Sequence, residues 1–358
     1  MQAIVEQFRQ AILAASAAGK PLRLRGGGTK DWYGQQFDGE VLDTRAYAGI
    51  IDYEPTELVI TARCGTPLAD IEAALAARNQ MLAFEPPHFG PGATVGGVVA
   101  SALSGPRRAS AGALRDFVLG AVLMDGHGER LAFGGQVMKN VAGYDVSRLL
   151  AGSMGTLGLI LEVSLKVLPL PLREATLRVA CAEIAALRLL NEWAGKPLPI
   201  SASCWHDGVL TVRLSGAEAA VSAALHTLGG ELLAADEAAA FWLAVREQTH
   251  AFFAGAGAGS LWRLSLPPHA SAVIVKGRQL IEWGGAQRWL KLDGDADAAS
   301  ARHIRQAVAA LGGHATLFRG GDKAVGVFQP LAPAVEKIHQ RLRQAFDPAG
   351  IFNPHRMY

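Results

Sequence analysis

Two glycine-rich stretches near the start of the chain constrain the fold more than any other feature of the sequence. Residues 26–28 are all glycine and follow an alternating apolar and charged run at residues 22–25, which is typical of a strand. Residues 92–97 (Gly-Ala-Thr-Val-Gly-Gly) lead into an apolar run that predicts a helix. Because glycine lets the backbone approach a ligand closely, successive N–H groups in such loops can surround a phosphate. We therefore expect the two loops to hold a pyrophosphate, one on each side; the alternative is that each run forms only a tight turn.

The familiar nucleotide-binding motifs do not account for these glycines. A P-loop requires G-x-x-x-x-G-K-[ST], and the sequence contains no such match. A Rossmann fingerprint requires G-x-G-x-x-G, but Gly90 and Gly92 are followed by Gly96, one residue too late. The sequence therefore predicts a dinucleotide site of a different kind.

Composition excludes several classes of protein. With 358 residues, of which 50% are hydrophobic and 18% charged, the chain has ample material for a large core. A net charge of +2 offers no basic footprint for nucleic acid. The three cysteines are far apart and form no C-x-x-C, which argues against a thiolate-bound metal and favours a reducing, cytoplasmic compartment. No run of about 18 uncharged apolar residues is present, so we expect no membrane span.

The pattern of strands and helices changes along the chain. Residues 1–171 begin with an amphipathic helix and continue with strands and the two glycine loops, and Thr66 is expected to cap a helix that starts at Pro67. Residues 172–332 contain short strands separated by alanine-rich helices, which predicts one antiparallel or mixed sheet with helices on one face. Residues 333–358 form a helix and a proline-containing tail. The predicted fold class is α+β.

Four sequence blocks resemble FAD proteins of the vanillyl-alcohol oxidase / p-cresol methylhydroxylase type. They are RLRGGGTK, GATVGGVVASALSGPRRASAGALRDFVLGAVLMDGHG, MKNVAGYDVSRLLAGSMGTLGLILEVSLKVLPLP and FDPAGIFNPHRM. The resemblance implies a two-subdomain FAD-binding domain over 1–171, an α+β cap with a mainly antiparallel sheet over 172–332, and a C-terminal segment over 333–358 that returns to the FAD domain.

Within that family the chain is most similar to the small FAD-binding subunits of glycolate oxidase, which work with a larger flavin subunit and an iron–sulfur subunit. The resemblance implies oxidation of glycolate to glyoxylate by the complex, in the cytoplasm or at the inner face of the cytoplasmic membrane through the partners. Two alternatives remain open. One is a self-sufficient FAD-dependent dehydrogenase of small D-2-hydroxy acids, and the other is a scaffold subunit that binds FAD weakly or not at all.

The resemblance also implies which residues bind FAD. One phosphate would lie at residues 26–30 and the other at the second loop, Ile160 would meet the adenine side through its backbone, and Asn353 would lie near the flavin ring. The full set is Gly26, Gly27, Gly28, Thr29, Lys30, Thr94, Gly96, Gly97, Ser101, Gly105, Gly112, Asp116, Ile160 and Asn353. Some relatives join FAD covalently to a histidine in the first loop, and since this loop has none, we expect non-covalent FAD.

Catalytic residues are harder to identify from the sequence. Competent relatives carry a GDGNLH-like motif and a set of metal-binding histidines in the cap, and this sequence has neither, so we predict no metal site and little activity without partners. Each remaining candidate also has an ordinary structural explanation, which we favour for the histidines. They are His88, His314 and His355 as bases, Lys139 and Asn140 near the flavin, and Arg263 and Arg319 for a carboxylate.

Overall fold

The computed structural model describes residues 1–135, 145–254, 259–294 and 297–357, which form two compact units. The first unit is built from Met1–Ser104, Gly112–Pro169 and Pro330–Tyr358, and the second from Gly105–Ala111 and Leu170–Gln329, in each case within the described ranges. Sequence patterns did not assign residues 105–111 to the second unit. The functional division at residues 171 and 332 remains a prediction.

Helices and strands are numbered here along the chain. The helices are α1 (Gln2–Ala18), α2 (Leu68–Ala76), α3 (Val95–Ser101), α4 (Arg108–Ala111), α5 (Leu114–Phe117), α6 (Val146–Leu149), α7 (Glu183–Ala194), α8 (Glu218–Leu228), α9 (Ala235–Arg246), α10 (Ala298–Ala310) and α11 (Pro333–Phe346). The strands are β1 (Leu22–Arg25), β2 (Glu40–Asp43), β3 (Ile50–Glu54), β4 (Val59–Arg63), β5 (Gln80–Met81), β6 (Val118–Met124), β7 (Arg130–Gly134), β8 (Leu159–Lys166), β9 (Leu168–Pro169), β10 (Arg173–Ala180), β11 (Ile200–His206), β12 (Val209–Gly216), β13 (Glu231–Leu232), β14 (Leu261–Ser265), β15 (Arg278–Glu282), β16 (Gln287–Lys291) and β17 (His314–Arg319).

A five-stranded antiparallel sheet in the order β3-β4-β8-β6-β7 forms the framework of the first unit. Its inner strands are almost wholly buried, because α1 covers the sheet with Phe8, Ile12 and Ala15, which recur at helical spacing. A second, parallel pair joins β1 to β2. Leu22 at the start of β1 also bridges to Phe352, so the C-terminal segment returns to the strand that precedes the first glycine loop.

The second unit contains an eight-stranded antiparallel sheet in the order β13-β10-β12-β11-β15-β16-β14-β17. Two apolar cores lie in this unit, one that includes α7 and α8 and one that includes α10. Residues 105–111 are held to the sheet by an ion pair between Arg107 and Glu174 and by the indole N–H of Trp283, which donates to the carbonyl of Gly105. The predicted α+β class and mainly antiparallel second sheet are confirmed.

Two local predictions differ from the structure. Strand β15 lies in the middle of the second sheet but was not predicted, because Arg278, Gln279 and Glu282 leave only a short apolar core in its sequence. Thr66 does not cap α2: the helix starts at Leu68 with Pro67 at the cap position. The Thr66 hydroxyl instead donates to the carbonyl oxygens of Arg63 and Gly49 and accepts from the Gly49 N–H, so its bonds serve the neighbouring loop.

Candidate FAD site

The first glycine loop is a tight turn fixed by charged neighbours. The N–H of Asp31 donates to the carbonyl of Gly28 at 3.1 Å, which closes the turn. The Asp31 carboxylate pairs with Arg25 at 2.7 Å and with Arg23 at 2.8 Å, both from β1. Gly28 has a φ of +73° and lies against the Arg25 guanidinium, which would have to shift to admit a Cβ. The backbone conformation therefore favours glycine at residue 28.

The amides of this loop are available to a ligand. Among the residues that the structure describes, no hydrogen bond uses the backbone N–H of Gly26, Gly27, Gly28 or Thr29 as its donor. These residues are only partly buried and border a cavity in the first unit. Because partly buried N–H groups are normally paired with protein or water, a run of four unused donors is a natural place for an oxyanion.

The two glycine loops touch each other. A Cβ on Gly27 would overlap the carbonyl of Gly92, and a Cβ on Gly26 would overlap the hydroxyl of Thr94. The first loop therefore needs glycine for its contact with the second loop as well as for access to a ligand. The close contact between the loops is one reason for glycine at these residues, and the binding of a ligand by the same residues stays a prediction.

Two backbone N–H groups of the second loop donate to the protein framework, whereas those of residues 92–94 donate to no described residue. The N–H of Val95 donates to the carbonyl of Thr66 at 2.9 Å, and that of Gly96 donates to Cys64 at 2.8 Å. The Gly97 N–H has only a long contact of 3.4 Å with the Thr94 hydroxyl, which caps α3. Gly97 is exposed at the cavity, so it is the residue of this loop with the most room to face a ligand.

One cavity collects most of the predicted cofactor-binding residues. Its lining includes Gly26, Gly27, Gly28, Thr29, Lys30, Thr94, Gly96, Gly97, Ser101, Ile160 and Asn353. Residues that sequence patterns did not single out also line it, among them Arg25, Asp31, Tyr33, Thr44, Cys64, Met154, Gly155 and Arg356. The structure thus brings β1, α3, the start of β8 and the C-terminal segment to one place.

The charges on this cavity favour an anion. Arg25, Lys30 and Arg356 line it, against one carboxylate, Asp31. Arg356 is only 8% exposed and donates to the carbonyl oxygens of Lys30 and Tyr33 at 3.1 and 3.3 Å, which ties the C-terminal segment to the first loop. Burial lowers the pKa of the Arg356 guanidinium to about 10, so the group is still a cation at neutral pH. A basic residue in the FNPHRM block was the only sequence signal for it.

Asn353 is held by the protein itself. Its side-chain oxygen accepts from the N–H of Leu24 at 2.9 Å, and its side-chain nitrogen donates to the carbonyl of Met154 at 2.7 Å. Gly155, with a φ of +74°, leaves the space that this amide occupies. The side chain therefore joins β1 to the turn before β8, and at 1% exposure it acts first as a structural link.

Comparisons with known proteins place the chain in a family. A family model described as "FAD binding domain" matches residues 3–134. The glycolate oxidase subunit GlcE of Escherichia coli is 48% identical over 357 residues, which cover 100% of this chain and 97% of that protein. The chain belongs to the GlcE family of glycolate oxidase subunits. The resemblance inferred from the four sequence blocks is thereby confirmed, as is the FAD-dependent oxidoreductase class.

More distant matches agree with this family. The glycolate oxidase subunit GlcD of Bacillus subtilis is 31% identical over 128 residues, which cover 36% of this chain and 27% of that protein. A solved structure of alkyldihydroxyacetonephosphate synthase matches 98% of this chain and 74% of its own length with a TM-score of 0.69. At 13% identity the latter likeness supports the fold alone.

Three predicted cofactor residues do not line the cavity. Gly105 lies in the second unit, where its carbonyl accepts from Trp283 at 3.0 Å. Gly112 has a φ of +110° and packs against Asp116, whose carboxylate accepts from the N–H of Ala113 at 2.8 Å at the start of α5. These local bonds give Gly112 and Asp116 a structural role, and their assignment to FAD stays a prediction.

The histidine candidates are scattered. His88 pairs with Glu72 at 2.8 Å, His314 lies at the start of the last strand of the second sheet, and His355 borders a separate cavity. Lys139 and Asn140 lie outside the described residues. Arg263 packs over the ring of Phe318 with 5.8 Å between the guanidinium carbon and the ring centre. Of the histidine candidates in the first unit, His88 lies beside the first glycine loop, since its carbonyl accepts from the Lys30 ammonium at 3.2 Å, but no described histidine borders the cavity at that loop.

Two features are absent from the described residues: a cluster of metal ligands and a membrane-spanning helix. No group of three or more His, Cys, Asp or Glu side chains in that part of the chain is arranged to hold a metal ion. Within the same ranges, no helix is both long and apolar enough to cross a membrane.

Proposed function

We propose that this chain is the FAD-binding subunit of a glycolate oxidase complex in which glycolate is oxidised to glyoxylate and electrons pass on to partner carriers. The partners would be a larger flavin subunit and an iron–sulfur subunit. The observation that carries the proposal is the first glycine loop, whose N–H groups at Gly26–Thr29 lack internal acceptors among the described residues. Membership of the GlcE family is the reason for proposing glycolate as the substrate and a multisubunit complex as the working form.

We propose that the cavity holds the diphosphate of a non-covalent FAD. The amides of residues 26–29 would hold one phosphate, and Gly97 would face the other, with Arg25 and Arg356 supplying positive charge. Ile160 and Ser101 would line the remainder of the site. When bound, FAD takes up the electrons of an oxidised substrate and releases them to a second carrier.

The residues near the first loop support a non-covalent attachment of FAD. No histidine lies in residues 26–30. The ring of His88 is paired with Glu72, and the His88 carbonyl accepts from the Lys30 ammonium at 3.2 Å. We further propose that residues 1–171 and 333–358 form the FAD-binding part of the chain, and that residues 172–332 form the cap.

Absorbance spectroscopy of the purified chain tests the cofactor. We expect a flavin spectrum, with the colour released into the supernatant when trichloroacetic acid precipitates the protein. Colour that stays with the pellet would show a covalent flavin. A folded, colourless chain that cannot be reconstituted with added FAD would instead favour a scaffold subunit.

Anaerobic mixing with glycolate tests the role in the complex. The FAD-loaded chain alone should bleach slowly or not at all, because a positioned base contributes typically about 10²–10⁴-fold to proton abstraction and no histidine of the described residues lines the proposed FAD cavity. Adding the larger flavin subunit should restore rapid bleaching. Rapid bleaching by glycolate or D-lactate without any partner would identify a self-sufficient dehydrogenase.

We also propose that the complex works in the cytoplasm, at the inner face of the cytoplasmic membrane through its partners. Cell fractionation with and without the partner genes tests this location. We expect the chain in the soluble fraction when it is expressed alone and partly in the membrane fraction when the partners are present. Membrane recovery of the chain alone would contradict the proposed route.

A further inference from the structure

A second cavity lies in the first unit, apart from the glycine loops. It has a volume of about 310 Å³ and is bordered by α11, residues 149–157 and the C-terminal segment. This volume is at the lower end of the range of roughly 300–1,000 Å³ that small-molecule pockets occupy. Leu157, Leu331 and Leu342 give it an apolar side.

The two cavities share a wall. Along the turn before β8, Met154 and Gly155 border the first cavity, whereas Ser153 and Thr156 border the second. The C-terminal segment behaves in the same way, because Arg356 borders the first cavity. His355 and Met357, its neighbours in the chain, border the second. A ligand in the second cavity would therefore contact the backbone segments that also shape the proposed FAD site.

Three polar side chains on the lining of this second cavity have hydrogen-bond donors without partners among the described residues. Arg343 is partly buried, its Nε makes no hydrogen bond within the described chain, and no ion pair there involves its guanidinium. The Ser153 hydroxyl and the His355 ring likewise form no hydrogen bond with described residues, and Ser153 is only 7% exposed. The single acid on the lining, Glu336, is exposed and accepts from Gln340 at 3.5 Å.

We propose that the second cavity binds a short-chain organic carboxylate. The Arg343 guanidinium would pair with the carboxylate, since its planar donors match two oxygen atoms at once. Ser153 and His355 would donate to the remaining polar atoms, and Leu331 and Leu342 would contact the carbon chain. Binding requires no FAD, so the proposal stands independently of the function proposed for the glycine loops.

Equilibrium dialysis of radiolabelled glycolate against the full-length FAD-free chain tests this site. We expect one saturable site, and Arg343→Gln should weaken it by about tenfold or more, because hydrogen bonds to charged groups are among the strongest. Lys337→Gln is the matched control. It removes the same charge from an exposed position on α11 that does not border the cavity, and it should leave binding unchanged. Ethylene glycol, which lacks the carboxylate, should not compete.

Further measurements distinguish a lost binding site from a misfolded variant and test the link between the two cavities. Circular dichroism should show that Arg343→Gln is folded, and Ser153→Ala should weaken binding severalfold as an independent variant of the same cavity. In the FAD-loaded chain, glycolate should perturb the flavin absorbance through the shared wall, and Arg343→Gln should abolish the perturbation. Absence of saturable binding at tens of millimolar glycolate, or equal affinity in the wild-type and Arg343→Gln chains, would overturn the proposal.

Discussion

The two glycine loops are alike in composition but differ in how many of their backbone N–H groups donate hydrogen bonds to the protein. In the first loop, the N–H groups of Gly26 to Thr29 donate to nothing else among the described residues. In the second, Val95 and Gly96 donate to carbonyl oxygens of residues 66 and 64, and the glycines serve close packing. A glycine-rich loop therefore does not by itself mark a set of free donors, and the two loops should respond differently to substitution.

The largest effect is expected at the exposed glycine of the second loop. Gly97→Asp should lower FAD affinity about a thousandfold, because like charges about 4 Å apart cost about 4 kcal/mol at an effective dielectric constant near 20. The chain should stay folded, since a Cβ at residue 97 meets only the Thr94 hydroxyl at 3.5 Å. Flavin content and circular dichroism measure the two quantities. Gly97→Ala is the control and should retain FAD; unchanged flavin content in Gly97→Asp would remove the second loop from the site.

Gly27→Ala should have the next largest effect. Its methyl group would overlap the Gly92 carbonyl and push the two loops apart. Overpacking of this kind costs typically about 1–3 kcal/mol, which corresponds to a loss of roughly fivefold to 150-fold in FAD affinity if the strain falls on the loop. Fluorescence titration with FAD measures it. Gly294→Ala, where a Cβ would meet nothing within 4 Å, is the control. Equal affinity in Gly27→Ala would mean that the contact between the loops is not required.

Gly96→Ala should affect stability more than affinity. Its Cβ would lie 2.7 Å from the Cβ of Cys64 and 3.0 Å from the Cys64 carbonyl oxygen, so it would strain the packing of the loop against the residue that follows β4. We expect a loss of about 1–3 kcal/mol in the free energy of unfolding, measured from the urea midpoint of the FAD-free chain. An unchanged midpoint together with lost FAD would show that Gly96 contacts the cofactor directly.

The smallest effect at neutral pH concerns the thiol of Cys64, whose carbonyl accepts from the Gly96 N–H of the second loop. Burial raises the pKa of this thiol to about 12. The folded chain therefore holds the proton above the pH at which the unfolded thiol ionises, and stability falls as pH rises from about 9 towards 12. Urea unfolding at several alkaline pH values should give a shallower decline for Cys64→Ala. An identical decline in both chains would show that Cys64 is not responsible.

The sequence was sufficient for the broad architecture and for the cavity. Alternating strands, amphipathic helices and the four family-like blocks predicted the α+β fold, and those blocks supplied most residues of the cavity. Local sequence patterns are sufficient to predict a helix, strand or turn that itself requires a glycine or a periodic row of apolar residues. They failed at Thr66, because its hydroxyl found acceptors in the loop at Gly49 and not in the helix that follows it. They also failed at β15, a central strand whose polar residues leave only a short apolar core in its sequence.

Residue identities alone determined where glycine had to be and what charge surrounds it, because φ angles and formal charges belong to single residues. Only the tertiary structure decided which amides were left unused. That outcome depends on carbonyl oxygens distant in sequence: residues 64 and 66 accept from Val95 and Gly96 of the second loop, whereas no described residue accepts from the N–H groups of Gly26 to Thr29 in the first. Arg356 belongs to the same class, since its place beside Lys30 and Tyr33 joins residues more than 300 apart in the chain. A hydrogen bond forms only when its donor and its acceptor are both in position, and the sequence does not show which distant residues the fold brings together.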